Sequence, residues 1–259
     1  MLDVADDAGI VNQIRSIDMP AEIRIVQGAL AEARVLIADG HHRYETALEY
    51  RRPMRAAAGN PGTTMPYDYV MMTLVAFNDP GLVILPTHRL IRRLDRDAMM
   101  SFAARARELF DIEEFENGDA MRAALSARGR GALGIALKGE PGVRLARLRN
   151  YDALASLVPD VPKEVRELDV SILHTLVLDR IFALRPDEVR KGGNIEYTID
   201  ARAALAAVER GEADGAFLMN PPSVHDVERV CGAGATMPEK STYFYPKLLT
   251  GLVMNQLDR

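Results

Sequence analysis

The segment Asp39-Gly40-His41-His42-Arg43 combines the residue types best suited to chemistry in this chain. It lies where a short apolar strand is predicted to end and a helical pattern begins. Gly40 allows a tight backbone turn, and the first amides of a helix point outward without partners. The two histidines and Arg43 add hydrogen-bond donors and positive charge at the same place. The segment therefore predicts a site for a phosphate group.

A plainer interpretation of this segment is structural. Asp39 would then cap the following helix, and His41 and His42 would be ordinary surface residues. Two adjacent histidines beside an arginine favour the phosphate site over this alternative. In a phosphate site, Asp39 or His41 would assist proton transfer, and Asp39 would also lie near enough to hold a Mg²⁺ ion that a nucleotide brings with it.

Two further segments carry side chains that suit a substrate. Lys240, Ser241 and Thr242 follow a glycine-rich turn and offer one ammonium and two hydroxyl groups, which can bind a carboxylate or a phosphate. The alternative is an exposed loop in front of an aromatic strand. His88 and Arg89 follow an apolar strand, where residues commonly line clefts, and a solvated turn explains this pair equally well. All five are candidates for binding the substrate.

Periodicity predicts the elements that position these groups. A helix over 20–32 and a strand over 34–38 precede the Asp39 turn, and the apolar runs 67–77 and 82–85 predict a hairpin at the centre of a sheet. Further patterns predict helices at about 96–110, 118–128, 168–183, 201–211 and 223–231, and strands at about 132–138, 143–148, 194–199 and 215–219. The sequence thus predicts an α/β (α+β) fold with mixed sheets.

Turn-forming residues also predict a domain boundary. Residues 59–66, with the sequence GNPGTTMP, contain glycines, prolines and small polar residues throughout. We therefore expect one domain over 1–66, which contains the Asp39 turn, and a larger domain over 67–259.

Composition excludes several classes of protein. The chain has 259 residues, of which 48% are hydrophobic and 27% charged, as in globular proteins. Its 32 Lys and Arg against 37 Asp and Glu give a net charge of −5, which argues against nucleic acid or an anionic membrane as partner. A single cysteine, Cys231, forms no intramolecular disulfide and fits a reducing cytoplasm. The sequence leaves open whether the chain forms a homo-oligomer.

Five segments together resemble a known family. They are DGHHRYETAL at 39–48, LPTHRL at 85–90, LDVSILH at 168–174, GAFLMNPP at 215–222 and MPEKSTYFYPKLLTGL at 237–252. In this order, and over essentially the whole chain, they resemble the family known as domain of unknown function 1015. That family is similar in turn to the ParB/sulfiredoxin-like superfamily, which includes free-serine kinases with a related phosphate-binding turn.

The resemblance implies a nucleotide-binding protein. Gly40 would give ATP or ADP access to the backbone, His42 and Arg43 would contact its phosphates, and the N-terminal domain would be a partial ParB/sulfiredoxin-like part. The acceptor would be a small hydroxylated molecule such as serine. Sulfiredoxin chemistry is not expected, because that enzyme needs a cysteine where this chain has His41.

One departure from the resemblance concerns the general base. The superfamily kinases place several strands and a glutamate base well before the phosphate turn, whereas 38 residues precede Asp39 here. We therefore expect that the chain is short at its N-terminus, and no motif assigns the base to Glu22 or Glu32. Two functions stay open at this point: a small-molecule kinase that uses ATP or ADP, and a non-catalytic, nucleotide-responsive binding module of the ParB type.

Overall fold

A computed structural model describes residues 2–7, 9–185 and 193–257 of the chain. It divides the chain into two compact units, Met1–Leu82 with Pro246–Arg259, and Val83–Tyr245. We call them unit 1 and unit 2 and describe each by itself.

Unit 1 contains a two-stranded antiparallel ribbon and two helices. Strands β1 (Leu2–Ala5) and β2 (Val11–Ile14) pair with each other. Helix α1 spans Pro20–Leu30 and begins with a proline, whose missing N–H is no loss at a helix start. Helix α2 spans His41–Ala57 and carries the predicted phosphate turn at its N-terminus.

The last turns of α2 are fixed by the carboxylate of Asp68. This side chain, 6% exposed, accepts hydrogen bonds at 2.6 Å from Arg51 Nε and at 2.6 Å from Arg55 Nη1. It also accepts one from the Met65 amide at 2.8 Å. The two guanidinium groups and this amide hold the pKa of Asp68 well below its usual range. Asp68 belongs to a short 3₁₀ turn, Pro66–Asp68, which is thereby tied to α2.

Unit 2 is built on a six-stranded sheet in the order β5-β7-β6-β9-β4-β8. The strands of this sheet are β4 (His88–Ile91), β5 (Phe110–Phe115), β6 (Ala132–Leu137), β7 (Val143–Leu148), β8 (Ile195–Thr198) and β9 (Gly215–Met219). A second sheet pairs β3 (Val83–Leu85) with β10 (Tyr243–Tyr245). Every strand pairing within the described residues is antiparallel.

Helices cover this sheet on both faces. They are α3 (Arg96–Ala106), α4 (Gly118–Arg128), α5 (Asp152–Leu157), α6 (Lys163–Arg166), α7 (Asp169–Ile172), which continues as a π-helix over Leu173–Asp179, α8 (Ala201–Glu209) and α9 (Val224–Gly232). Polar side chains at the N-caps of four of them accept from the first helical amides; these residues are Asp95, Asn117, Asp200 and Ser223.

The alternation of strand β9 shows how the two faces are filled. Phe217 and Met219 belong to the core on one face of the sheet, which includes Phe102 of α3 and the α7 helix. Ala216 and Leu218 belong to the core on the other face, with α4 and α8. Because successive strand residues point to opposite faces, an apolar run of five buries both sides of the sheet.

The structure confirms the α/β class, with helices and antiparallel sheets together. The predictions for 118–128, 132–138, 143–148, 201–211, 215–219 and 223–231 agree with the observed elements to within a few residues. Two strand predictions are wrong. Residues 34–38 and 69–76 form no strand. The prediction of a central hairpin is therefore also wrong. The strand β3 pairs with β10 instead, and residues such as Met72 are exposed.

Candidate functional site

The turn before α2 has the open geometry that the sequence predicts. Gly40 occupies the N-cap position with φ of +87°, in the left-handed region that glycine adopts without strain. No side chain caps the helix, so the amides of its first turn are left for another partner. Asp39 therefore does not cap α2, whereas His41 and His42 are exposed, as the structural alternative expects.

The side chains of this turn are exposed and mutually paired. His42, whose side chain is 99% exposed, has Nδ1 3.4 Å from a carboxylate oxygen of Glu45. The Arg43 Nη2 atom lies 3.5 Å from Asp39 Oδ2, and the Lys247 Nζ atom lies 3.4 Å from Asp39 Oδ1. The guanidinium of Arg43 and the ammonium of Lys247 thus both pair with Asp39 beside the uncapped end of α2.

These residues fit an anion better than a metal ion. A Cβ atom placed on Gly40 would lie 2.9 Å from Arg43 Nη2, so that glycine keeps the space in which the guanidinium folds over the turn. Asp39 is engaged by two cations, and the described part of the chain contains no cluster of three or more His, Cys, Asp or Glu side chains that could hold a metal. The Mg²⁺ role of Asp39 stays a prediction.

In unit 2, Arg89 is fully buried beside the Lys240 turn. Its guanidinium donates to the carbonyl oxygens of Thr87 and of Lys240, the latter at 3.0 Å, and lies 5.3 Å from the ring centre of Tyr197. Within the described residues it forms no ion pair with a carboxylate. Burial lowers the pKa of Arg89 to about 10, so the group is charged at neutral pH. The structure therefore brings Arg89 and the Lys240 turn together.

His88 and Ser241 are also buried. His88 Nδ1 accepts a hydrogen bond from the Met219 amide at 3.3 Å, which fixes the neutral tautomer. Burial, with the positive charge of Arg89, lowers the pKa of His88 to about 4. Ser241 Oγ donates to the Pro238 carbonyl at 2.6 Å. Both side chains are thus held in place, and Thr242 follows in a half-buried position.

The described residues of unit 2 line a partly open cavity of about 190 Å³. Five stretches of the sequence meet in its lining: one covers residues 129–130, and the other four contain Thr87, Asp169, Asn220 and Ser241. The last four are among the five segments on which the family resemblance rests. In the sequence, Thr87 comes before all six strands of the large sheet and Ser241 comes after them. Only the fold therefore brings these segments to the same cavity. We call this space the unit 2 cavity.

Asp169, the main titratable group of this cavity, was not predicted from the sequence. Its Oδ1 accepts a hydrogen bond from the Gly131 amide at 2.7 Å. Burial raises the pKa of Asp169 to about 6, helped by the negative charge of Asp226 and opposed by the Gly131 amide and the charge of Arg130. A signal existed in the sequence, because Asp169 is the only charged residue of the segment LDVSILH. Its burial could not be inferred from that segment.

Comparison with known families shows which family the chain belongs to. Residues 1–171 match the model of the family described as "Protein of unknown function (DUF1015)", which is more than half of the chain. The chain belongs to the DUF1015 family. No match was found among curated proteins. Within the described residues of this DUF1015 chain, no helix is both long and apolar enough to cross a membrane.

Several solved structures are similar at low identity. A conserved hypothetical protein from Pyrococcus furiosus is 15% identical, with 81% of this chain and 69% of that chain covered and a TM-score of 0.42. A free serine kinase variant in complex with AMP is 15% identical, with 88% and 81% covered and a TM-score of 0.42. A free serine kinase variant in complex with ADP is 14% identical, with 88% and 82% covered and a TM-score of 0.43.

Proposed function

We propose that this DUF1015 chain binds the phosphates of ATP or ADP at residues 39–43 and transfers a phosphoryl group to a small hydroxylated amino acid such as serine. The observation that carries the proposal is the uncapped N-terminus of α2, which Gly40 opens and Arg43 overhangs. A 17-residue helix presents a stable partial positive charge at such an end.

Each residue of the turn has a separate task in this proposal. Gly40 lets the phosphate approach the backbone amides, and His42 and Arg43 donate to the phosphate oxygens. Asp39 or His41 assists proton transfer, and Asp39 holds a Mg²⁺ ion carried by the nucleotide. We further propose that residues 1–66 form a partial ParB/sulfiredoxin-like domain and residues 67–259 the larger domain.

The acceptor residues are proposed in unit 2. Lys240 and Thr242 would contact the substrate directly, because their side chains are exposed or half-buried. Arg89, which has no exposed surface, would support the turn through its hydrogen bond to the Lys240 carbonyl. Buried His88 and Ser241 would act in the same supporting way.

A second candidate function is a nucleotide-responsive binding module without turnover. It is favoured by the pairing of Asp39 with both Arg43 and Lys247. A phosphate bound at the turn would compete with Asp39 for these two cations, so that occupancy would rearrange the ion pairs around the turn.

Calorimetric titration tests nucleotide binding. ATP and ADP are titrated into the wild-type chain, into Arg43→Ala and into Arg52→Ala, an exposed arginine of the same helix. Arg43→Ala is expected to weaken binding by about 1.5–3 kcal/mol, the range for hydrogen bonds to charged groups, and Arg52→Ala to leave it unchanged. Equal affinity of the wild type and Arg43→Ala would refute the site.

Phosphorus NMR then separates the two functions. The chain is incubated with serine, Mg²⁺ and either nucleotide, and the spectrum is followed for a phosphoserine signal. Phosphoserine identifies the kinase, whereas tight nucleotide binding without this product identifies the binding module.

A further inference from the structure

The unit 2 cavity contains a buried hydroxyl group without a partner. Thr87 is 6% exposed, lines the cavity, and its Oγ1 atom forms no hydrogen bond with any part of the chain that the structure describes. A buried hydroxyl left without a partner destabilises the fold, so native proteins supply one from the chain, from water or from a ligand. Thr87 Oγ1 is therefore a polar atom beside the cavity that a bound water or ligand would satisfy.

The carboxylate of Asp169 is incompletely satisfied as well. Its one hydrogen bond within the described residues comes from the Gly131 amide, and it has no ion-pair partner among them. The nearest cation in the lining is Arg130. That guanidinium is directed to Glu167, with Nη2 3.3 Å from the Glu167 carbonyl oxygen and 3.9 Å from its carboxylate. Asp169 is thus a partly buried carboxylate without a counter-charge in contact.

The other acidic residue of the lining, Asp226, is fully engaged. It accepts from the Ser223 amide at 2.9 Å, from Ser223 Oγ at 2.7 Å and from Arg229 Nη2 at 2.8 Å. The bond from the Ser223 amide, with the bond at 3.1 Å from the Asp226 amide to Ser223 Oγ, forms the capping box of helix α9. The negative charge that this helix end favours is therefore already supplied by Asp226, and the helix end does not call for an anion.

A third group in the lining is also an acceptor. Asn220 uses its amide nitrogen twice, for the carbonyl oxygens of Leu125 and Gly129, both at 2.9 Å. Its amide oxygen accepts no hydrogen bond from the described residues. The cavity therefore presents acceptors from Asp169 and Asn220 beside the hydroxyl of Thr87.

We propose that the unit 2 cavity binds a small molecule that carries a primary ammonium group. The ammonium would lie against the Asp169 carboxylate and donate its remaining protons to the Asn220 amide oxygen and the Thr87 hydroxyl. At about 190 Å³ the cavity is smaller than the roughly 300 Å³ at which sites for drug-sized ligands begin, so the ligand has only a few heavy atoms. The proposal is independent of nucleotide binding, because all its residues belong to unit 2.

Ligand-observed NMR with ethanolamine tests this assignment. Ethylene glycol and glycolate serve as comparators of similar size, because they replace the ammonium by a neutral hydroxyl and by a carboxylate. Ethanolamine is expected to bind at least tenfold more tightly than ethylene glycol, and glycolate is expected not to bind. Preference for glycolate, or no binding of ethanolamine, would overturn the proposal.

Two variants locate the binding. Asp169→Asn keeps an oxygen for the Gly131 amide while it removes the charge, and it is expected to weaken ethanolamine binding at least tenfold. Thr87→Val removes the hydroxyl at nearly constant volume and is expected to weaken binding severalfold. Asp160→Asn, an exposed aspartate of unit 2, is the control and should bind like the wild type.

The thermal melting temperature of each variant shows that it is folded before binding is measured. Unchanged binding in both Asp169→Asn and Thr87→Val would refute the cavity as the site. The same proteins are titrated with ATP, which these variants should bind like the wild type. A failed ethanolamine experiment beside normal ATP binding contradicts only the ammonium site, and absent ATP binding in the wild type contradicts only the nucleotide site.

Discussion

The raised pKa of Asp169 makes the stability of unit 2 depend on pH in a direction opposite to that of most aspartates. The group titrates at about 6 in the folded chain against an ordinary value of 3.8. An acid with a higher pKa in the folded state holds its proton more tightly there. The folded state is therefore favoured below about pH 4, and this advantage is lost as the pH rises through 6.

The size of the effect follows from the same two values. A difference of about two pKa units, at 1.36 kcal/mol per unit, corresponds to about 3 kcal/mol of stability lost between about pH 4 and pH 7. Asp169→Asn carries no titratable group, and its side-chain oxygen still accepts from the Gly131 amide. Relative to the wild type, the variant is therefore expected to gain about 3 kcal/mol of stability over this pH range.

Urea denaturation followed by far-UV circular dichroism measures this difference. Wild type, Asp169→Asn and the control Asp160→Asn are unfolded at several values between about pH 4 and pH 8, and stabilities are compared at each pH so that contributions of other groups cancel. Carbon NMR of the Asp169 carboxyl gives its pKa directly. A titration near 4, or a stability difference between wild type and Asp169→Asn that does not change with pH, would refute the reasoning.

Three further predictions concern single residues. Gly40→Ala forces a side chain into φ of +87° and brings a Cβ atom to 2.9 Å from Arg43 Nη2, so we expect a loss of roughly 1–2 kcal/mol in urea denaturation together with weaker ATP binding. His88, with its pKa near 4, should show no imidazole titration above about pH 5.5 in proton NMR, and its contribution to stability should be lost as the pH falls from about 6.5 to 4; titration near 6.5 would contradict this. Phe217→Ala removes a fully buried ring that packs 5.8 Å from Phe182, and it should destabilise the chain by about 3–5 kcal/mol, whereas the exposed Met100→Ala should change stability by less than about 0.5 kcal/mol.

The sequence alone determined most elements of unit 2. The apolar spacing in segments such as 118–128 and 201–211 has the period of a helix, and each of these helices is preceded by a capping residue, Asn117 or Asp200. Continuous apolar runs such as 132–138 and 215–219 indicated strands buried on both faces. Local propensity and the pattern of burial agree in these segments, so the prediction holds.

The same apolar pattern gave wrong strand predictions where the pairing between strands decides the structure. Residues 34–38 and 69–76 are as apolar as the buried strands, yet they form no strand and several of their side chains are exposed. A strand exists only when a neighbour accepts and donates its backbone hydrogen bonds. The choice of β10 as the partner of β3 joins residues about 160 positions apart, which no local pattern reveals.

For the predicted phosphate turn at residues 39–43, the sequence was sufficient to indicate the backbone geometry. A glycine followed by a helical pattern predicts an open helix N-terminus, and the structure has one at Gly40. The pairing of Asp39 with Lys247 was outside the reach of sequence analysis, because more than 200 residues separate the two side chains. A metal ion at Asp39 would have to compete with that pairing.

The unit 2 cavity belongs entirely to the tertiary structure. Its lining combines Thr87, Asp169, Asn220 and Ser241 from distant segments, and no local pattern places these residues together. The pKa of Asp169 and the unpaired hydroxyl of Thr87 both result from burial, which depends on what packs around a group rather than on its neighbours in the chain. Sequence determined which residues are present, and only the fold decided which of them lost contact with water.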